Sequence, residues 1–199
     1  MMTALKRVLC ACLALLPYCG ALPQGGDSAT TTTIIEAARA QVGVTVTYDG
    51  SYRKLAYPGG DVSVERGVCT DVLIRAYRKA GMDLQVLVHE DMGRAFDAYP
   101  HLWGLQRPDS NIDHRRVQNL KVFFSRHGKS LPVSASAADY SPGDIVVWRL
   151  PSGLPHIGLV SSWQVPGTGR PLVIHNIGQG TQEEDILFAY VITGHYRYP

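Results

Sequence analysis

Cysteine is scarce in this chain and poorly placed for cross-linking. Four are present, and Cys10, Cys12 and Cys19 crowd the N-terminus, leaving Cys69 alone in the remainder. A single thiol cannot close an internal disulfide. In an oxidising compartment it is a liability unless it is buried or used. A basic excess is missing too: 19 Lys and Arg stand against 17 Asp and Glu. That balance argues against a general nucleic-acid binder, which needs cations to neutralise phosphates. Beyond the N-terminus no run is apolar enough to cross a bilayer, which takes about 20 residues. There is no internal repeat, no H-E-x-x-H and no paired C-x-x-C, so neither a metal nor another cofactor is expected.

The N-terminus reads "MMTALKRVLCACLALLPYCGALPQGG". Lys6 and Arg7 precede the apolar stretch Val8 to Leu16, which has the length of a secretory signal and is too short for a membrane span. Cleavage after Ala21 would remove both bases and no acid, leaving a mature chain of even charge. The expectation is an exported bacterial protein, periplasmic or secreted. Residues 1–21 would be its signal, residues 22–32 a flexible tether and residues 33–199 a single domain.

Periodicity then divides the chain. "TIIEAARAQV" (33–42) spaces Ile34, Ile35, Ala38 and Val42 on one helical face. "TVTYDGSYRKLAYPGGD" alternates like a strand and ends in turn residues at Pro58, Gly59 and Gly60. In "ERGVCTDVLIRAYRKAG" (65–81) Val72, Leu73, Ala76, Tyr77 and Ala80 share a face, with Arg75, Arg78 and Lys79 pointing away. Gly81 is placed to end this helix as a left-handed cap. "DHRRVQNLKVFFSRHG" (113–128) is a further helix, set within a helical insertion over about 82–135. After Pro132 the period changes. A "SPGD" turn leads to short β-branched runs at 145–148, 156–163, 171–177 and 187–196, which reads as an antiparallel meander. Helices first and a sheet after give an α+β fold.

Cys69 falls at the head of the second helix. There, unpaired N–H groups and the helix dipole favour a thiolate and lower its pKa. The alternative is a small buried hydrophobe, the commonest state of a free cysteine. A nucleophile needs a base, and the base needs an orienting group. His156 opens one strand and His175 lies in the next, so the two rings can meet if the register is right. In "NIDHRR", Arg115 and Arg116 could clamp a carboxylate of an acidic peptide, or form the solvated face of a helix start. Asp71 either supports the helix dipole or orients a substrate amine. Asn176 sits beside His175, and only one of the pair can face Cys69; His175 is the choice.

The order of these features resembles the NlpC-type branch of papain-like cysteine peptidases, enzymes of bacterial cell-wall peptides. The matching positions are Cys69 at a helix start, "PGD" at 142–144, "HIG" at 156–158 and His175 in "VIHN". Tyr57 before Gly59 and Gly60 is similar to the tyrosine-glycine segment upstream of the nucleophile in that group. Val68 and Thr70 flank the cysteine where those enzymes usually carry Asp and Ser. The stretches "GVCTDVLIRAYRKAG", "NIDHRRVQNL", "HNIGQGT" and "TGHYRY" resemble a family of exported bacterial proteins described as a domain of unknown function, a branch separate from the NlpC and CHAP-like group. The resemblance implies a papain-like fold with Cys69 as nucleophile, His156 as base and His175 as its orienter. Tyr57, Asp71, Arg115 and Arg116 would be candidate substrate-binding residues. It further implies an amidohydrolase acting on cell-wall peptides. An acyl transferase using the same thioester, a toxin with the same chemistry and a non-catalytic binding module stay open.

Overall fold

A computed structural model describes residues 28–199. The expected signal (1–21) and the first part of the expected tether lie outside the described residues. Helix α1 spans Ser28–Arg39, so residues 28–32, expected to be tether, are helical instead. Threonines are indifferent helix formers, but here Thr32 and Thr33 donate to the carbonyls of Ser28 and Ala29, one turn back. Ile34, Ile35 and Ala38 are buried in the main core, which also holds the apolar face of the next helix. That burial supplies what local propensity does not.

The strand-like stretch after α1 delivers only β1 (Thr47–Tyr48), paired in parallel with β2 (Arg66–Gly67). Helix α2 (Cys69–Lys79) follows at once. Val68 precedes it and has no side-chain acceptor to cap it, so Asp71 reaches back and accepts from the Val68 N–H at 2.7 Å. Gly81, at φ 83°, ends it: its N–H donates to the Arg78 carbonyl and that of Met82 to the Tyr77 carbonyl, a Schellman closure. Arg75 does not point into solvent as expected. It binds Asp61 and Thr45 and the carbonyls of Val62, Ser63 and Arg66, fastening the segment that leads into Cys69 to the side of α2.

The insertion carries α3 (Leu84–Arg94), capped by the Asp83 carboxylate, and α4 (Val117–His127). The helix expected from 113 begins later, because Asp113–Arg115 forms a 3-10 turn and Arg116 is extended. Asp113 is tied backward, its carboxylate accepting from the Asp109 N–H and its carbonyl from the Asn119 amide.

Six antiparallel strands form the sheet: β3 (Lys129–Ser130), β4 (Ile145–Arg149), β5 (Pro155–Gln164), β6 (Pro171–Asn176), β7 (Thr181–Glu184) and β8 (Val191–Arg197). Their order is β3-β8-β4-β5-β6-β7. The meander thus runs from β4 to β7, and β8 then returns to the far side of β4. Alternation sorts the side chains between two cores. Ile145, Val147, Ile157, Leu159 and Ile174 pack with the helices; Val146, Trp148, Val160 and Val173 pack with Tyr140, Ile186 and Leu187. At the SPGD turn Gly143 takes φ 86° and the Asp144 N–H closes onto Ser141. The buried Asp144 carboxylate accepts from Ser141 N–H, from His195 Nε2–H and from Nε and Nη2 of Arg197, riveting β8 to the start of β4. Among the described residues no helix is long and apolar enough to cross a membrane.

Candidate active site

Cys69 lies at the N-terminus of α2, His156 near the start of β5, and both line one cleft of about 680 Å³. The backbone N–H of Ile157, next to the histidine, favours the Cys69 thiolate, as do the N–H groups of Thr70 and Cys69 itself. His156 and His175 meet as the strand spacing expects: His156 Nε2 lies 3.0 Å from His175 Nδ1, with the rings edge to face. Gly158 makes this possible. A Cβ there would meet Val173 Cγ1 at 2.8 Å and His175 Cβ at 3.2 Å, so only a bare backbone leaves the His175 ring its place.

A fourth member was not legible in the sequence. Glu184, at the end of β7, places Oε1 2.9 Å from His175 Nε2. A carboxylate only accepts, so the His175 proton sits on Nε2 and its Nδ1 carries a lone pair. His156 must then donate from Nε2, which leaves its Nδ1 as a free lone pair. The relay assigns both tautomers without ambiguity and ends in a base. Strand β7 reads "TQEE", too polar to signal a strand. The only clue available was that a buried imidazole with one nitrogen engaged needs an acceptor for the other.

The electrostatics qualify one expectation. Burial pushes the Cys69 thiol up to about 12, with Asp71 adding to the rise; the N–H groups of Ile157 and of Thr70 and Cys69 at the helix terminus do pull it down, as expected, but burial outweighs them. Burial likewise brings His156 down to about 3, assisted by His175. His175 is also lowered, because burial outweighs the pull of Glu184. Among the described residues no hydrogen bond joins the sulfur to His156. Burial thus favours a neutral thiol and a neutral imidazole over an ion pair in the substrate-free cleft.

The other candidates separate. Arg115 also lines the cleft but is buried and heavily engaged: Nε and Nη2 grip both Asp71 oxygens at 2.9 Å, Nη2 also donates to the Asp49 carbonyl and Nη1 to that of Ser51. Asp71 is equally spent, between Arg115 and the Val68 N–H. Both brace the nucleophile's turn and offer a substrate little. Tyr57 stacks edge-on against His89 and is not among the residues lining the cleft. Of the adjacent pair it is Asn176, not His175 as expected, that faces the helix side, donating to the Gly67 carbonyl two residues before Cys69; His175 connects to the cleft through His156. Arg116 does line the cleft, with Tyr48, Tyr52 and Trp103, three aromatics that periodicity could not assign to it. Among the described residues no cluster of His, Cys, Asp and Glu has the geometry of a metal centre.

Comparison with known proteins agrees with the resemblance at its coarser level. The chain is 59% identical over 169 residues to an Escherichia coli (strain K12) protein described as "Uncharacterized protein YijF", an overlap that covers 85% of this chain and 82% of that one. Residues 35–198 match the family described as "Domain of unknown function (DUF1287)", a span that takes in Cys69, His156, His175 and Glu184, and the chain belongs to that family.

Proposed function

We propose that this domain is a papain-like cysteine hydrolase of the NlpC type, exported by a bacterium and cleaving an amide bond in cell-wall peptides. The observation that carries the reading is the Glu184–His175–His156 relay, whose last residue, His156, lines a cleft that the lone cysteine beyond the N-terminus also lines. A buried polar chain of this kind is costly to leave half-satisfied, and a structural role alone does not require it to end in an unpaired base.

The thiol's pKa decides how the reaction starts. Burial disfavours the thiolate in the substrate-free cleft. In this reading the proton therefore leaves as sulfur attacks. Sγ bonds to the substrate carbonyl carbon while His156 Nδ1 takes the thiol proton. The imidazolium is held by donation from Nε2–H to His175, itself polarised by Glu184. The carbonyl oxygen becomes an oxyanion near the N–H groups at the head of α2, a contact typically worth about 3 kcal/mol per donor. Collapse expels the amine, which takes the proton from Nδ1 and leaves a thioester. Water, activated by the same imidazole, releases the acid and restores the thiol. An amine in place of water would make the protein a transferase by the same steps.

The elevated thiol pKa and the absent sulfur–imidazole hydrogen bond favour a second reading, a binding module that retains the fold without the chemistry. Incubating purified cell-wall peptides with the protein and with Cys69→Ala, followed by mass spectrometry, separates the two. New amide-cleavage products that vanish in Cys69→Ala support the hydrolase. Equal binding of the peptides by both proteins, with no product from either, leaves the binding module.

A further inference from the structure

Of the two adjacent arginines, Arg115 is consumed by the scaffold, whereas Arg116 is half free. Its Nη1 donates to Asp113 at 3.3 Å, and its Cζ lies over the Trp103 ring, 3.9 Å from the centroid. The Nε and Nη2 edge has no protein hydrogen bond among the described residues. That is the edge an arginine offers to a carboxylate in a two-pronged contact, and the ring contact at Cζ leaves it open. Trp103 holds φ at 64° and Gly104 follows at 68°, so the loop keeps a bulky residue in a backbone region it normally avoids. None of the side chains lining the cleft is acidic. The nearest carboxylates are already engaged: Asp113 by Arg116 and the Asp109 N–H, Asp109 by Tyr52 and Asn111.

We propose that Arg116, held over the Trp103 ring in the wall of the cleft, docks a carboxylate of the substrate through its Nε and Nη2 donors. The substrate class is then an amide that carries a free carboxylate close to the bond under attack, with its apolar parts against Tyr48 and Tyr52. The assignment rests on the cysteine-hydrolase reading, because it places the carboxylate within reach of a group bonded to Cys69. Arg115 has no part in it.

The test uses reagents that tether a carboxylate to the thiol at graded distances: N-iodoacetyl glycine, N-iodoacetyl 4-aminobutyrate and N-iodoacetyl 6-aminohexanoate, each as the free acid and as the primary amide. Alkylation of Cys69, in which sulfur displaces iodide, is timed by mass spectrometry at about pH 8 and about 50 mM salt, where screening is weak. The expected result is one length at which the acid reacts about tenfold faster than its amide, as a charge-assisted two-point contact provides. Arg116→Gln abolishes that ratio, and Arg116→Lys keeps part of it, since the charge survives but the fork does not. Equal rates for acid and amide at every length in the unsubstituted protein overturn the carboxylate assignment while leaving a reactive Cys69 intact, as does an acid preference that persists in Arg116→Gln. If no reagent labels the folded protein, the nucleophile reading falls, and this assignment falls with it.

Discussion

Cys69 and Glu184 are opposite cases at the scale of single residues. Cys69 was legible because cysteine is rare here, but its state was not. A helix terminus lowers a thiol's pKa only while water or a cation helps solvate the anion. At 3% exposure desolvation wins. Iodoacetamide labelling of the folded protein should therefore keep accelerating from pH 7 to beyond pH 10, with no plateau near the free-thiol value of about 8.5. A midpoint below that value would show that substrate-free Cys69 is an activated thiolate after all. Glu184 acts at one remove, and its side chain is half exposed, so its field is screened. Glu184→Gln should lower kcat by roughly 3- to 10-fold with little change in KM, because only charge at the far end of the relay is lost. His175→Ala should cost far more, about 100-fold or greater, since His156 would then lose the acceptor that fixes its tautomer.

Positioning is the business of the elements. Strand β5 delivers His156 by its register with β4, where Trp148 faces His156, and β6 supplies His175 beside Gly158. The Gly and Pro residues between β5 and β6 were compatible with a hairpin, but the meeting of the two histidines depended on the register, which only the paired strands supply. Gly158→Ala should destabilise the protein by about 1–3 kcal/mol, the usual cost of overpacking. It should also reduce activity beyond what the thermal shift explains, because the added methyl contacts His175 directly. Wild-type activity in a folded Gly158→Ala protein would show that His175 needs no fixed seat. The start of α2 depends on a different device. Arg75 gathers the carbonyls of the preceding loop, and Asp71 and Arg115 lock the turn below Cys69. Charges on α2 looked like a solvated face because helical spacing reports direction from the axis and is blind to a loop folding back over it. Strands β3 and β7 went unread for a related reason: each is short and polar, and each is specified by its neighbour's edge rather than by its own pattern.

Across the whole molecule, burial favours the neutral form of His114, His156 and His175, and this has a consequence for acid stability. Burial lowers His114 to about 4 and His156 to about 3, and it lowers His175 as well. The unfolded chain binds protons at these sites below about 6.5, while the native state does not. Stability is thus fully expressed above pH 6.5 and is lost as pH falls from there toward 4, at up to roughly 1.4 kcal/mol per pH unit for each histidine. Urea midpoints measured between pH 7 and pH 4.5 should fall steeply, and His114→Gln should flatten the slope. A midpoint constant over that range would mean the rings are protonated in the native state. Asp144 adds to the acid sensitivity at lower pH: burial works against its charge, but His195 and Arg197 more than offset it and hold its pKa below normal. That contribution is present above the unfolded carboxylate value of about 3.9 and fades below it.

The sequence by itself determined the local grammar: the helix after Cys69 with its glycine stop, the PGD turn, the strands that carry His156 and His175, and the mixed α+β class. These follow from spacing and turn chemistry within a few residues, where covalent geometry limits the choices. Only the tertiary structure decided the rest. It turned the residues before Thr33 into helix, spent Arg115 and Asp71 on scaffolding, recruited Glu184, freed one edge of Arg116 and raised the thiol's pKa. Each of these depends on which distant groups share a buried space, because desolvation and hydrogen-bond satisfaction are set by neighbours in three dimensions rather than by neighbours in the chain.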